Sequence, residues 1–175
     1  MRRIAILGPE STGKSDLCKH LAKSYSSALW VPEFARNYLE NNGPNYTFEE
    51  LDFIAQGQLD AIAKAEKFVP EYLFADTEML VMQIWSSFVF NKVSDFIKRK
   101  VEEQKFDLYL LCDIDLAWEY DPLREHPEHR KELFDLYRKH LVLLNWPYRI
   151  VSGLGEERKE NAIKIIEEFY NEPSK

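Results

Sequence analysis

Cysteine is scarce in this chain of 175 residues: only Cys18 and Cys112 occur, without CxxC spacing. That excludes a disulfide framework and a cysteine-based zinc finger, and each cysteine sits in an apolar stretch where a buried free thiol is expected. Glycine and proline are also few, at 6 and 8, and no linker, internal repeat or low-complexity tract separates one part of the chain from another. A single domain spanning residues 1–175 is the expectation. Long apolar runs are missing as well. The best window, Met79 to Phe90, is interrupted by Gln83, Ser86 and Ser87, and falls well short of the roughly 20 residues of a membrane helix. The run Ile4 to Leu7 is too short for a signal peptide. Positive charge is in deficit, with 23 basic against 30 acidic residues and a net charge of -7. This argues against a general affinity for nucleic acid while leaving room for a local basic pocket. No membrane association is expected, and the cytoplasm is the expected compartment. What is abundant is core material: 45% of residues are hydrophobic and 14% aromatic, which rules out a disordered chain.

Ile4 to Leu7, stopped by Gly8, has the pattern of a strand covered on both faces. Leu17, Cys18, Leu21, Ala22 and Tyr25 recur at helical spacing, predicting a helix from about Gly13 to Ser26. Ala28 to Val31 reads as a second strand, followed by a short helix over Glu33 to Asn41 that Asn42, Gly43 and Pro44 terminate. Thr47 and Glu50 form a T-x-x-E capping box for a long helix reaching about Phe68. Tyr72 to Ala75 is a third strand, Met79 to Phe90 a buried helix, and Ser94 to Gln104 another helix capped by Ser94. Phe106 to Cys112 is a fourth strand and Tyr148 to Val151 a fifth. Between them lie a polar stretch, Glu119 to Lys131, and a helix carrying Leu133, Phe134, Leu136, Tyr137 and Leu141. A helix over Glu156 to Tyr170 closes the chain, with Glu172 to Lys175 expected to fray. Alternating strands and helices predict an α/β fold with a five-stranded parallel sheet and helices on both faces.

Gly8-Pro9-Glu10-Ser11-Thr12-Gly13-Lys14-Ser15 fits G-x-x-x-x-G-K-[ST] and lies between a buried strand and a helix, where a phosphate-binding loop must lie. Backbone N–H groups from Gly8 through Ser15 converge on phosphate oxygens, Lys14 reaches the β and γ phosphates, and the Ser15 hydroxyl ligates Mg²⁺. Asp76 ends the third strand, where such a sheet carries the acid that holds Mg²⁺; its plain alternative is a helix N-cap. No adjacent Asp-Glu pair occurs there, because Thr77 separates Asp76 from Glu78. That favours transfer to a bound acceptor over activation of water. Glu33 and Arg36 follow the second strand at the ligand-collecting edge of the sheet. The carboxylate can accept a proton from a substrate hydroxyl or hold a ribose diol, and the alternative is an exposed ion pair across one helical turn.

Arg124 and Arg130 lie in the polar stretch with Asp121, His126, Glu128 and His129. In a phosphotransferase a mobile lid here, about residues 117–131, would bring guanidinium groups to the transferring phosphoryl; in the plain alternative the stretch is a solvated face. His126 and His129 lack the further clustered ligands a metal site needs. Trp30, Trp85 and Trp118 are core or pocket-wall residues in the plain reading. Asn91-Lys92-Val93-Ser94 imitates a guanine-reading N-K-x-D, but serine replaces the aspartate and the segment follows a helix, which disfavours a GTPase.

These residues together resemble the ribosylnicotinamide kinase domain of NadR-type proteins. The loop, then Glu33-x-Ala35-Arg36, Asp76-Thr77-Glu78 with Trp85 beyond it, and Asp113-Ile114-Asp115 with Trp118, Asp121, Pro122, Leu123 and Arg124 occur in the family's order across nearly the whole chain. The resemblance implies a nucleoside-monophosphate-kinase-like P-loop NTPase fold that uses ATP and Mg²⁺ to phosphorylate the ribose 5′ hydroxyl of nicotinamide riboside. It adds weight to Asp76, Glu33 and Arg36, and it places Trp85, Trp118 and Asp121 with the substrate. Two departures stand out: the family's D-T-D is Asp76-Thr77-Glu78 here, and its P-W-x-x-D-G-x-R is Ala117-Trp118-Glu119-Tyr120-Asp121-Pro122-Leu123-Arg124. Full-length relatives also carry a DNA-binding module and an adenylyltransferase module with an H-x-G-H signature. This chain contains no H-x-G-H and is expected to be the kinase unit standing alone. Two other readings stay open: a kinase for another nucleoside or small alcohol, and a nucleotide-gated interaction module.

Overall fold

The computed structural model describes residues 1–124 and 126–171; the expectation of fraying over Glu172 to Lys175 lies outside them, as does Glu125 within the expected lid. Five strands, β1 (Arg2–Leu7), β2 (Ala28–Val31), β3 (Tyr72–Asp76), β4 (Leu108–Cys112) and β5 (Tyr148–Val151), form one parallel sheet in the order β2-β3-β1-β4-β5. The helices are α1 (Lys14–Ser24), α2 (Phe34–Asn42), α3 (Phe48–Glu66), α4 (Met79–Phe90), α5 (Asp95–Glu103), α6 (Arg130–Leu143, after a single 3₁₀ turn) and α7 (Glu156–Asn171). This is the doubly covered parallel sheet of a P-loop NTPase. β3 and β4 are buried along their whole length, which is why they read as continuous apolar runs rather than alternating ones. On β1, Ala5 and Leu7 pack on one face with Leu73, Leu80, Tyr109 and Tyr137, while Ile4 and Ile6 pack on the other with Leu17, Leu21, Phe74 and Ile166.

Local chemistry adjusts the element ends. β1 starts two residues before the apolar run because ladder pairing needs only backbone, and the Arg2 guanidinium settles over the rings of Tyr72 and Tyr170 at 5.0 and 4.6 Å. α1 ends at Ser24, not Ser26, because Tyr25 turns extended and lays its ring 4.3 Å from that of Tyr72. β4 starts at Leu108, after Phe106 has given its N–H to the Tyr109 hydroxyl at 3.1 Å. α3 begins with the capping box in both directions, Glu50 N–H to Thr47 Oγ1 at 3.3 Å and Thr47 N–H to Glu50 Oε2 at 2.7 Å. It ends at Glu66, ahead of Val69, whose φ of 49° no helix allows. Asn91 to Ser94 is a helix-to-helix link: Asn91 ends α4 in a left-handed conformation and Ser94 caps α5.

Ile6 lies beside Asp76 and Leu7 beside Leu111, so β1, β3 and β4 end side by side. The chain runs from β1 out to β2, returns to β3, then crosses β1 to β4, and the crevice beyond these strand ends is where open α/β sheets hold ligands. Among the described residues, no helix is long and apolar enough to cross a membrane.

Candidate active site at the strand ends

A cleft of about 900 Å³ opens there, a size suited to nucleotide-sized ligands. Its floor is the glycine loop. Gly8 has a φ of 137°, and a Cβ on it would stand 2.9 Å from the Cys112 carbonyl oxygen; only glycine lets the loop turn this close to β4. Gly13, at φ 73°, opens α1 without a side-chain cap, leaving the first N–H groups of the helix to a ligand. Thr12 turns inward, 1% exposed, and its hydroxyl donates to the Pro9 carbonyl at 2.8 Å. Of the loop residues expected to bind phosphate, Gly8, Glu10, Ser11, Gly13, Lys14 and Ser15 line the cleft, and the Thr12 side chain instead braces the loop from behind. The Lys14 ammonium donates to the carbonyls of Gly8 and Pro9 at 2.9 and 2.8 Å, stretched across the concavity.

Asp76 is 1% exposed, and its Oδ2 accepts the Ser15 hydroxyl proton. Burial pushes its carboxyl up from the ordinary value, while the Ser15 hydrogen bond and the Lys14 ammonium oppose the shift. Its Oδ1 is buried and has no hydrogen-bond partner. An orphaned carboxylate oxygen beside a hydroxyl is the oxygen-rich donor set that a hard divalent cation completes, so Ser15 and Asp76 fit Mg²⁺. The helix-cap alternative for Asp76 is not what forms, since Glu78 caps α4 by accepting the Leu80 N–H at 2.8 Å. Between the two acids Thr77 holds a φ of 75°, a costly conformation for a β-branched residue and one that clusters at functional sites.

Glu33 is the residue before α2, yet its carboxylate makes no cap hydrogen bond and lines the cleft. Glu33 is half-buried, and burial pushes its carboxyl up to about 7; Asp76 adds repulsion, and Lys14 and Arg36 pull back. The Glu33–Arg36 ion pair weighed from sequence does not form: Arg36 pairs with Asp121, one guanidinium nitrogen at 3.0 Å, and reaches Glu40 at 3.6 Å. Hydrogen bonds from Leu123 N–H and Arg36, and the charge of Arg36, hold the Asp121 carboxyl below the usual range despite the opposing burial.

The connection after β4 lies over the loop. Glu119 N–H donates to Ser11 Oγ at 2.9 Å, and His126 N–H to Glu10 Oε2 at 3.2 Å. The two arginines part company. Arg124 lines the cleft, donating to Ser11 Oγ at 3.3 Å and to the Glu119 carbonyl. Arg130 does not line it, and donates to the carbonyls of Leu116 at 2.9 Å and Ser11 at 3.1 Å, clamping the base of the connection to the loop. The rings of His126 and His129 pack on Phe88 at 4.9 and 5.2 Å. No group of three or more metal-ligating side chains occurs among the described residues.

The cleft also has an apolar and aromatic part of its wall, with Leu39, Tyr46, Val81, Ile84, Trp85 and Phe88. Trp85 donates its indole N–H to the Tyr46 hydroxyl at 2.7 Å, with the rings edge to face at 4.8 Å. Trp118 stands outside this wall against Tyr120, ring centres 6.3 Å apart. Sequence reasoning missed Tyr137 and Arg158, which also line the cleft. Tyr137 sits at core spacing on α6 and carries no local signal. Arg158 is 4% exposed and donates to the carbonyls of Val151, Gly153 and Asp113 and to Asp115, fixing the β5–α7 turn; the Gly153-x-Gly155 turn ahead of it was the available hint.

Known proteins share this fold. A family model described as an AAA domain matches residues 3–158. The chain is 30% identical over 180 residues to the trifunctional NAD biosynthesis/regulator protein NadR of Escherichia coli (strain K12), covering 98% of this chain and 43% of that protein. Its counterpart in Salmonella typhimurium is 30% identical over 129 residues, covering 71% of this chain and 31% of that protein. The chain thus spans less than half the length of these relatives. Among solved structures, a NadR protein in complex with NR is similar at a TM-score of 0.81 and 20% identity, over 99% of this chain and 53% of that one. A thymidylate kinase from Ehrlichia chaffeensis is similar at 0.67 and 12%, over 95% and 97%, a likeness of fold. The chain belongs to the AAA domain family of P-loop proteins, and its resemblance to NadR-type proteins covers nearly its whole length.

Proposed function

We propose that this protein is an ATP-dependent kinase that phosphorylates a ribonucleoside at its 5′ hydroxyl, with nicotinamide riboside as the acceptor and nicotinamide mononucleotide as the product. The observation that carries this reading is that one cleft is lined by a phosphate loop, by Ser15 hydrogen-bonded to the buried Asp76 as a Mg²⁺-type pair, by a separate, proton-avid carboxylate, Glu33, and by aromatic side chains. A water-activating ATPase has no use for that wall; an acceptor with a flat ring does. The similarity to NadR, including a NadR structure in complex with NR and another with NAD and AMP-PNP, supports the choice of nucleoside and of ATP.

In this mechanism the loop N–H groups and Lys14 hold the ATP phosphates, and Ser15 with Asp76 would hold Mg²⁺, which neutralises charge on the phosphate oxygens. Tyr46, Trp85 and Phe88 hold the acceptor base, and Arg36, positioned by Asp121, faces its ribose. Glu33 takes the proton of the 5′ hydroxyl as that oxygen forms its bond to the γ phosphorus. The bond to the β–γ bridging oxygen breaks, and ADP leaves with the electron pair. Segment 117–131 acts as a lid within a single kinase domain of residues 1–175. Arg124 approaches the transferring phosphoryl while Arg130 fixes the lid's base. Incubation with ATP, Mg²⁺ and a panel of acceptors, read by mass spectrometry, tests the proposal. Phosphorylated nicotinamide riboside is the expected product; preference for another nucleoside would replace the acceptor, and slow hydrolysis with no acceptor phosphorylated would favour a nucleotide-gated module.

A further inference from the structure

The buried stripe of α3 runs Leu51, Ile54, Ala55, Gln58 and Ile62, the spacing of one helical face. Gln58 is the polar member, 2% exposed among apolar neighbours, in a place where leucine would pack without needing hydrogen-bond partners. Its amide is engaged at both ends. Oε1 accepts the Phe34 N–H at 2.7 Å, and Nε2 donates to the Thr77 carbonyl at 3.4 Å. The assignment of the two amide atoms follows from chemistry, because an N–H needs an acceptor and a carbonyl needs a donor.

The two residues it grips are the immediate successors of the two functional acids: Phe34 follows Glu33, and Thr77 follows Asp76. The preceding residue of α3 serves the same junction. A Cβ on Gly57 would fall 2.3 Å from the Phe34 ring, so glycine there makes room for the ring while Gln58 caps the amide. Gln58 itself does not line the cleft.

Resting on the kinase reading, we propose that Gln58 is a positioning residue for phosphoryl transfer: one side-chain amide ties the start of α2 to the end of β3 and thereby sets the separation of the proton-accepting and metal-holding carboxylates. Gly57 completes the socket on the Glu33 side alone. The left-handed Thr77, which would relax if released, is held on its carbonyl by the same amide.

The test uses the full chain with Gln58→Met, which fills the space and removes both contacts, and Gly57→Ala, which displaces Phe34 but leaves the Thr77 contact. Thermal unfolding, the Mg²⁺ dependence of AMP-PNP binding by calorimetry, and transfer to nicotinamide riboside are measured on each. Gln58→Met is expected to lower kcat by on the order of 10- to 100-fold, as sub-ångström to 1 Å misplacement of reacting groups does, and to raise the half-saturating Mg²⁺ concentration severalfold. Gly57→Ala is expected to lower kcat with the Mg²⁺ requirement unchanged. In both, AMP-PNP affinity without Mg²⁺ stays within about twofold of wild type. Reduced thermal stability with kcat per folded molecule and Mg²⁺ requirement both unchanged would overturn the proposal and make Gln58 a satisfied core amide. If the wild-type protein transfers phosphate to no acceptor, the kinase reading fails on its own, and the Mg²⁺ dependence still decides whether Gln58 positions Asp76.

Discussion

Replacing each of the two arginines after β4 by alanine should give opposite signatures. Arg130 gives hydrogen bonds to two backbone carbonyls, Leu116 at 2.9 Å and Ser11 at 3.1 Å, from a half-buried position. Charge-assisted bonds of this kind contribute about 1.5–3 kcal/mol when well buried. Partial exposure lets water replace some of that, so about 1 kcal/mol each is the better figure. Arg130→Ala should therefore cost about 2 kcal/mol, which for a domain of this length lowers Tm by roughly 4–8 °C. Arg124 contacts Ser11 Oγ at 3.3 Å and the Glu119 carbonyl within the connection itself, so Arg124→Ala should cost under about 1 kcal/mol, as surface changes do. Its loss should fall on transfer, by about two orders of magnitude or more, because a guanidinium aimed at the equatorial oxygens stabilises the transition state more than the ground state. Thermal unfolding and single-turnover transfer on the same preparations separate the two. A large loss of turnover in Arg130→Ala with Tm unchanged, or an Arg124→Ala enzyme of normal turnover, would refute the assignment of roles.

Glu33→Gln should slow transfer far more than it weakens ATP binding, and equal losses in both would move Glu33 to the nucleotide site. Because burial and Asp76 raise the proton affinity of Glu33, the acid limb of the wild-type pH–rate profile should lie above the ordinary carboxylate range and should vanish in Glu33→Gln. Lys14→Ala should keep the fold and lose most transfer, measured by circular dichroism and turnover together; an active variant would make the glycine loop incidental. Glu78 is fully buried, and its carboxyl is pushed from 4.5 to about 7 by desolvation, against the cap hydrogen bonds that favour its charged form. A raised folded value means its contribution is fully present below about pH 4.5 and is lost as pH rises through about 7, at most about 3 kcal/mol. Glu78→Gln, which keeps an acceptor for Leu80 N–H, should flatten denaturant stability across that window and stabilise the protein at pH 8; an unchanged pH profile would contradict this.

The sheet and its loop were legible because both announce themselves locally: continuous apolar runs mark doubly covered strands, and the glycine loop needs its residue types at fixed spacing. The places of Asp76, ending β3, and of Glu33, two residues beyond β2, were legible from the strand pattern. Lost to sequence reading was whatever depends on partners distant along the chain. Arg36 and Arg124 look alike as charges, yet one is held by Asp121, 85 residues away, and the other lies on Ser11, 113 residues away. Nothing local in the sequence marks the two carbonyls, of Leu116 and Ser11, to which Arg130 donates. Gln58 and Tyr137 occupy helical positions where an apolar residue is the ordinary expectation, so nothing nearby reveals the cleft that one supports and the other lines.

The most direct test of the kinase reading is a single-turnover experiment with the wild-type protein in excess over ATP, with Mg²⁺ present and nicotinamide riboside added or withheld, following ADP and phosphorylated nucleoside in the same quenched samples. The account predicts that ADP and nicotinamide mononucleotide appear together in equal amounts when the nucleoside is present, and that ADP forms far more slowly without it. ADP and free phosphate formed at the same rate whether or not the nucleoside is present, with no nicotinamide mononucleotide, would contradict it.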